Sequence, residues 1–140
     1  IATENLFNIS FYDNDARKTI LTLDEQYDLI FLDAFTFSKA PELWTVEFMA
    51  ELYKRLSPSG LLITYSNSAL VRNTFIENNF YIGKIYCPKT KKYIGTVATK
   101  EKNLIVCSLA NFVVDHKWDE LEALRNGDIA NIDFNAVRQL

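Results

Sequence analysis

A short apolar run with a polar ending constrains the fold of this chain most. Residues 29–32 read Leu-Ile-Phe-Leu and are followed directly by Asp33. A continuous apolar run of this length is typical of a strand buried on both faces, as in a parallel sheet. Leu61–Tyr65 has the same character, and patterns of helical period stand before and after it. Alternating strands and helices predict a three-layer α/β fold with mostly parallel strands.

The rest of the chain extends this prediction. Asp15 or Asn14 is expected to cap the first helix, Thr45 to cap the second, and residues 57–60 to stop it. Near the end, two strands follow each other with only a lysine-rich turn between them, which predicts an antiparallel last strand. The remaining predicted elements are strands at Ile9–Tyr12, Tyr27–Asp33, Phe80–Tyr86, Tyr93–Ala98 and Leu104–Leu109, and helices at Ala16–Leu23, residues 45–56, Ala69–Glu77 and Val114–Arg125.

Composition excludes several classes of protein. No apolar run approaches the ~20 residues of a membrane-spanning helix, so no membrane partner is expected. The two cysteines, Cys87 and Cys107, lack CxxC spacing and suit a reduced, cytoplasmic setting. With His116 as the single histidine, we expect neither a metal site nor a Ser-His-Asp hydrolase. The four glycines lie far apart, so a glycine-rich phosphate loop is absent from these 140 residues.

Charge is concentrated in one segment. Lys84–Lys102 contains six lysines and one acid, for a charge of +5, whereas the whole chain carries −3 and the rest therefore −8. Tyrosines are interleaved with the lysines. Such a segment suits nucleic-acid contact, but lysines also guard the exposed edge of a hairpin. The charge pattern alone favours the second interpretation.

The stretch Tyr27–Trp44, YDLIFLDAFTFSKAPELW, carries a specific resemblance. A strand ending in Asp-Ala-Phe, then Ser-Lys, then Pro-x-x-Trp-Thr resembles the methyltransferase domain of the MnmC family, the tRNA 5-methylaminomethyl-2-thiouridine methyltransferases. The resemblance covers about residues 9–109. Further segments that resemble the family's motifs are Asp13–Arg17, Leu56–Tyr65, Ser66–Arg72, Asn79–Gly83, where Asn79 replaces a glycine, and Gly95–Ala98.

This resemblance implies a Rossmann-like class I fold that binds S-adenosylmethionine and methylates the aminomethyl group of a modified wobble uridine in tRNA. The implied catalytic residues are Asp33 and Phe35. The implied cofactor-binding residues are Asp15, Ala16, Asp33 and Ala34. The implied substrate-binding residues are Lys39, Trp44, Tyr65, Ser66 and Arg72. The Lys84–Lys102 segment would contact the tRNA.

Simpler structural roles compete with several of these assignments. Asp15 fits a plain helix N-cap, which is compatible with cofactor binding. Trp44 fits a core residue, Lys39 a solvated lysine, and Arg72 an arginine on a helix surface. For Asp33 the alternative is a carboxylate that accepts hydrogen bonds from the following loop, although its place at a strand end favours a role in the site.

The class I fold carries a G-x-G-x-G loop after its first strand, and this chain has none. We therefore expect residues 1–110 to be the carboxyl-terminal half of a methyltransferase domain without its first two βα units, and residues 111–140 to be an extension. By itself the chain should bind S-adenosylmethionine weakly or not at all. The free edge of the strand at Tyr27–Asp33 should be covered, either by the Ile9–Tyr12 strand moving beside it or by a homodimer.

Two other functions stay open. A non-catalytic half-domain that pairs with a partner chain would also lack the glycine loop. A spermidine-synthase-like aminopropyl transferase shares the Tyr-Asp-x-Ile-x-x-Asp strand at residues 27–33. The run Phe-x-x-Ser-Lys-x-Pro-x-x-Trp at residues 35–44 argues against the aminopropyl transferase.

Overall fold

The computed structural model describes residues 7–102, 104 and 113–115. Short 3₁₀ turns at Ile20–Thr22 and Pro41–Trp44 accompany the regular elements. The helices are α1 (Ala16–Thr19), α2 (Val46–Arg55) and α3 (Ala69–Glu77), and the strands are β1 (Tyr27–Leu32), β2 (Leu56–Thr64), β3 (Tyr81–Cys87), β4 (Lys92–Thr99) and β5 (Val113–Asp115).

The strands form one sheet in the order β1-β2-β4-β3-β5. β1 and β2 are parallel, and β4 is antiparallel to both of its neighbours, β2 and β3. Three strands, β1, β2 and β3, therefore run in one direction, while β4 is inserted between two of them in the opposite direction. The short β5 is antiparallel to β3 at the outer edge. The predicted α/β fold, mostly parallel with an antiparallel strand late in the chain, is confirmed.

The main core lies between the sheet and one layer of helices. α2 begins where Thr45 accepts a hydrogen bond from the amide of Phe48, as predicted. Its apolar face packs with that of α3 over Leu62 and Ala98 of the sheet, which is the arrangement that buries two amphipathic helices. Residues less than 2% exposed on these helices include Met49, Val71 and Phe75.

Asn79 explains one departure from the family pattern. It follows the end of α3 with φ of 65°, in the left-handed region that glycine occupies most easily. Asparagine is among the few other residues that tolerate this conformation. The structure thus gives the physical reason why asparagine can replace glycine here.

Several sequence predictions are wrong. Residues 7–13, including the predicted strand Ile9–Tyr12, have no regular structure, and Ile9 is 92% exposed; this segment therefore does not cover the edge of β1. A four-residue apolar segment forms a strand only where a partner offers a ladder of hydrogen bonds. Residues 57–60, which were expected to form a stop after the second helix, belong instead to β2, which follows α2 directly. They bulge where the register with β1 shifts between Tyr27 and Leu29.

Another error concerns the end of the chain. Val113–Asp115 is a strand paired with β3, so the predicted helix does not begin at Val114. Strand pairing overrides the local helical period in these residues. The rest of that helix, and nearly all of the predicted strand Leu104–Leu109, lie outside the described residues.

β1 is buried on one face, not on both. Leu32 is 8% exposed, whereas Leu29 and Phe31 on the opposite face are 48% and 69% exposed. Within residues 7–102, no element packs over these two side chains closely enough to bury them. The apolar run therefore predicted the strand correctly but not its surroundings in this chain.

Candidate functional site

The carboxyl ends of β1 and β2 lie side by side. Leu32 and Thr64, the last residues of the two strands, are register partners in the parallel pair. Asp33 and Tyr65 therefore leave the sheet at the same edge. In open α/β sheets this edge is where ligands bind, so two groups of predicted site residues are brought together here.

Two side-chain hydrogen bonds fix the backbone that follows β1. The Tyr65 hydroxyl donates to the carbonyl of Ala34 at 2.8 Å, and the Trp44 indole Nε1 donates to the carbonyl of Phe35 at 2.7 Å. Trp44 is 1% exposed and meets the Tyr65 ring edge-on, with centroids 6.3 Å apart. The core role considered for Trp44 is confirmed. Its polar atom also anchors the peptide segment that carries Phe35.

The next loop is a compact turn with exposed aromatic side chains. The carbonyl of Thr36 accepts from the amides of Lys39 and Ala40 at 2.8 and 2.9 Å. Asp33 and Lys39 have exposed side chains. Phe35 is 74% exposed and Phe37 44%, so two exposed aromatic residues follow Asp33 in this loop. Phe37 was not predicted as a site residue, because a single further apolar residue in the sequence does not indicate a functional site.

Arg72 is not on the helix surface, contrary to the simpler interpretation. It is 4% exposed; its Nε donates to Thr96 Oγ1 at 2.9 Å and its Nη2 to Asn67 Oδ1 at 3.1 Å. Burial lowers the pKa of the guanidinium to about 10, so the group stays charged at neutral pH. Thr96 in turn donates to the carbonyl of Ser66. The phosphate contact proposed for Arg72 stays a prediction.

Asp15 acts as the N-cap of α1, as the sequence predicted. Its carboxylate accepts from the backbone amide of Arg17 at 3.0 Å and from the Arg17 guanidinium at 2.6 Å. Hydrogen bonds from Arg17 lower the pKa of Asp15 to about 2, so the carboxylate is ionised at neutral pH. Ala16 is exposed beside it. The cofactor contacts of these two residues stay predictions.

Two cavities in the described part of the chain lie apart from the edge formed by Asp33 and Tyr65. One, of about 260 Å³, lies between the α1 region and α2, and one of about 690 Å³ lies beside the start of β1. The first is lined by residues that include Arg17, Ile20, Glu42, Thr45, Phe48 and Glu51. None of the residues predicted for catalysis lines either cavity.

The lysines of the basic segment lie at opposite ends of the strands, some beyond the ends of β1 and β2 and others toward their starts. Thr96 of β4 faces Thr64 at the end of β2, so Lys92 and the turn before it extend beyond the candidate site edge. Thr99 faces Leu61, and Lys100 therefore lies toward the opposite edge. At about 3.4 Å per residue, Lys92 and Lys100 are separated by roughly 27 Å. The segment is not one continuous basic surface.

Aromatic contacts stabilise the β3–β4 hairpin near its turn. Lys84 is 6% exposed and places its ammonium 4.6 Å from the centre of the Tyr93 ring, which packs edge-on against Tyr86. A buried ammonium over an aromatic face is a stabilising arrangement. Lys84 therefore supports the hairpin, whereas Lys89, Lys91 and Lys92 are exposed at its turn.

The described residues contain no cluster of three or more acidic, histidine or cysteine side chains arranged to hold a metal ion. Among the same residues, no helix is long and apolar enough to cross a membrane.

β1, β2 and β3 share one direction, the antiparallel β4 is inserted between β2 and β3, and polar residues follow β1 and β2; this is an α/β domain with a candidate ligand site at the strand ends. The sequence model of a family described as S-adenosyl-L-methionine-dependent methyltransferase matches residues 1–101. The chain belongs to this family.

Relatives named MnmC or MnmC2 are among the proteins to which the chain is similar. The crystal structure of MnmC2 from Aquifex aeolicus aligns with a TM-score of 0.58 and 30% identity, over 81% of this chain and 41% of that one. The bifunctional tRNA 5-methylaminomethyl-2-thiouridine biosynthesis protein MnmC of Pseudomonas putida is 34% identical over 89 residues, which is 14% of its length. An uncharacterized protein of Methanocaldococcus jannaschii is 38% identical over 96 residues, 27% of its length. The chain thus spans less than half of each relative.

Proposed function

We propose that this chain forms part of an S-adenosylmethionine-dependent enzyme that methylates the aminomethyl nitrogen of a modified wobble uridine in tRNA. One observation supports the proposal: β1 and β2 end as register partners, so the exposed Asp33 and Phe35 follow β1 at the same edge at which Tyr65 follows β2. The names of the MnmC relatives supply the substrate class.

Asp33 is the proposed catalytic residue. When bound, the cofactor would supply an electrophilic methyl group, and its sulfur would leave as a neutral thioether when the sulfur–methyl bond breaks. The attacking amine must be neutral, and as the new carbon–nitrogen bond forms, the nitrogen becomes cationic and must lose a proton. The Asp33 carboxylate would orient the amine lone pair and accept that proton. An exposed carboxylate at a strand end suits both tasks.

The neighbouring groups suit binding of the two substrates. The residue types at Asp15 and Ala16 fit the adenine end of the cofactor, because a carboxylate accepts from its amino group and a backbone amide donates to the ring. Both Asp15 oxygens already accept from Arg17, and each carboxylate oxygen accepts more than one hydrogen bond. Ala34 would lie against the cofactor, while Phe35 would stack on the target base.

The proposed tRNA surface is the site-side part of the basic segment. Lys89, Lys91 and Lys92 lie beyond the edge at which β1 and β2 end, and Lys39 follows β1 at that edge. Ammonium groups in this position would bind backbone phosphates on either side of the modified nucleotide. Tyr65 and Ser66 would contact the nucleotide itself.

The test is a methylation assay on the protein at the full length its gene encodes. Bulk tRNA containing 5-aminomethyl-2-thiouridine is incubated with methyl-labelled S-adenosylmethionine, and digested nucleosides are analysed by mass spectrometry. We expect one added methyl group on the wobble nucleoside, and the Asp33→Asn variant serves as the matched control. Parallel reactions with decarboxylated S-adenosylmethionine test the aminopropyl alternative.

Two results would contradict the proposal. Transfer of an aminopropyl group would assign the site to the polyamine branch. No labelled nucleoside from a folded protein that binds tRNA would favour the non-catalytic half-domain.

A further inference from the structure

A polar network centred on the buried Arg72 and Thr96 joins α3, the loop after β2 and the β3–β4 hairpin. We propose that Thr96 and Arg72 are positioning residues, which fix residues 65–67 relative to the β3–β4 hairpin. Bound RNA would then keep a fixed position relative to Asp33. The expected effect on catalysis rests on the proposed function. The hydrogen bonds of the network are present in the fold whatever reaction the protein performs.

The Thr96 hydroxyl has a defined direction. It accepts from Arg72 Nε at 2.9 Å, and an arginine only donates. The hydroxyl proton must therefore point to the carbonyl of Ser66, which it reaches at 2.7 Å. Because Thr96 is 0% exposed, water does not compete for these bonds. One hydroxyl thus fixes the peptide plane at the start of the loop.

Asn67 extends the network to the hairpin. Its Oδ1 accepts from Arg72, and its Nδ2 donates to the carbonyl of Tyr93 at 2.9 Å. Tyr93 lies next to Lys92 at the start of β4. A single amide side chain therefore connects the buried guanidinium to the strand that carries the proposed phosphate contacts.

The other end of the loop reaches the candidate catalytic edge. Tyr65 directly precedes Ser66, and its hydroxyl donates to the carbonyl of Ala34, the residue after Asp33. A shift of the loop would move this hydroxyl and release the Ala34 peptide. Misplacement by about 1 Å far from the reacting atoms can lower a rate by about 10²-fold.

Gly95 makes the arrangement tight. A β-carbon at this position would lie 2.3 Å from the carbonyl oxygen of Thr64 and 3.3 Å from the Tyr65 α-carbon. The backbone of β4 therefore lies directly against the end of β2, next to Thr96. The Gly95-Thr96 pair, which the sequence showed only as a family-like motif, has a packing role and a hydrogen-bonding role at this edge.

The decisive comparison is Thr96→Val with Thr96→Ser in the full-length protein. Valine keeps the volume but loses both bonds, whereas serine keeps the hydroxyl. We expect Thr96→Val to lower kcat about 10- to 100-fold, with Thr96→Ser restoring kcat to within a few-fold of the parent. Equal kcat values for the valine variant and the parent would overturn the proposal. Equal losses in both variants would overturn it as well, because the hydroxyl would then not be the cause.

Asn67→Asp separates the two links of the network. The carboxylate keeps the acceptor for Arg72 but cannot donate to Tyr93. We expect a higher KM for tRNA, with kcat at saturating tRNA close to that of the parent. A fall in kcat with KM unchanged would contradict the assignment of this link to the hairpin. Asn67 is exposed, so this variant is informative even if Thr96→Val fails to fold.

Hydrogen exchange gives a readout that does not depend on the enzyme's activity. Thr96→Val should speed exchange at the amides of residues 66–68, while the α2 core keeps the protection of the parent. Should the parent show no methylation, the proposed function fails and this measurement still decides the positioning role. Unchanged protection at residues 66–68 would overturn the proposal.

Discussion

The division of the basic segment predicts that its lysines are not equivalent in RNA binding. Replacing Lys89, Lys91 and Lys92 with glutamine removes three charges from the hairpin turn, at the edge where β1 and β2 end. The matched control replaces three lysines at the opposite edge, namely Lys54, Lys100 and Lys102. Lys54 is at the end of α2, which passes directly into the first residue of β2, and Lys100 follows the end of β4.

The expected magnitude follows from counterion release. Each lysine–phosphate contact contributes about −0.7 to −0.9 to the slope of log K against log salt concentration. Loss of three contacts should make the slope shallower by about 2 to 3. Over a fourfold rise in salt, those contacts account for roughly a 20- to 40-fold change in affinity. The control should change the slope by no more than the contribution of about one contact, although its net charge changes by the same amount.

The assay is a titration of fluorescent tRNA with the full-length protein and both variants at several salt concentrations. Thermal unfolding of each variant verifies that the fold is intact. Equal slopes for the two triple variants would refute the argument, since only net charge would then matter. A larger effect of the control would place the RNA surface at the other edge of the sheet.

Four further predictions concern single positions or the chain alone. Asp33→Asn should lower turnover about 10²- to 10⁴-fold with tRNA affinity retained; methylation within a few-fold of the parent would make Asp33 structural. Gly95→Ala should lower the free energy of unfolding by about 1 to 3 kcal/mol in urea titrations, because the new methyl group meets backbone at Thr64. Gly60→Ala should lower the free energy of unfolding by less than Gly95→Ala does, since the nearest atom to its new methyl group is the end of the Leu56 side chain at 2.7 Å. A larger loss for Gly60→Ala than for Gly95→Ala would contradict this. Asn79→Gly should raise that free energy by up to about 1 kcal/mol, and a loss would show that φ of 65° is unstrained. Calorimetry on the 140-residue chain should show weak or no S-adenosylmethionine binding; micromolar affinity would count against the role given to the glycine loop.

The candidate site was partly predictable because strand ends are local features. The Leu-Ile-Phe-Leu run and the aspartate after it located Asp33 at a strand terminus, and the structure places it there. Asp15 as a cap and Thr45 as a cap were predictable for the same reason, since capping depends on residues within one turn. Thr96 gave no such signal, because its partners Arg72 and Ser66 lie 24 and 30 residues away, and the bond from Asn67 to Tyr93 spans 26 residues.

The sequence by itself determined the α/β class, the starts of α1, α2 and α3, the ends of β1 and β2, and the position of the basic segment. These depend on apolar periodicity and on side chains that act within a few residues. Only the tertiary structure decided that β4 lies between β2 and β3, and that pairing buries Arg72 and sends the lysines to two edges. It also decided that Ile9–Tyr12 forms no strand. Strand pairing and burial are set by contacts between distant parts of the chain, which local pattern does not encode.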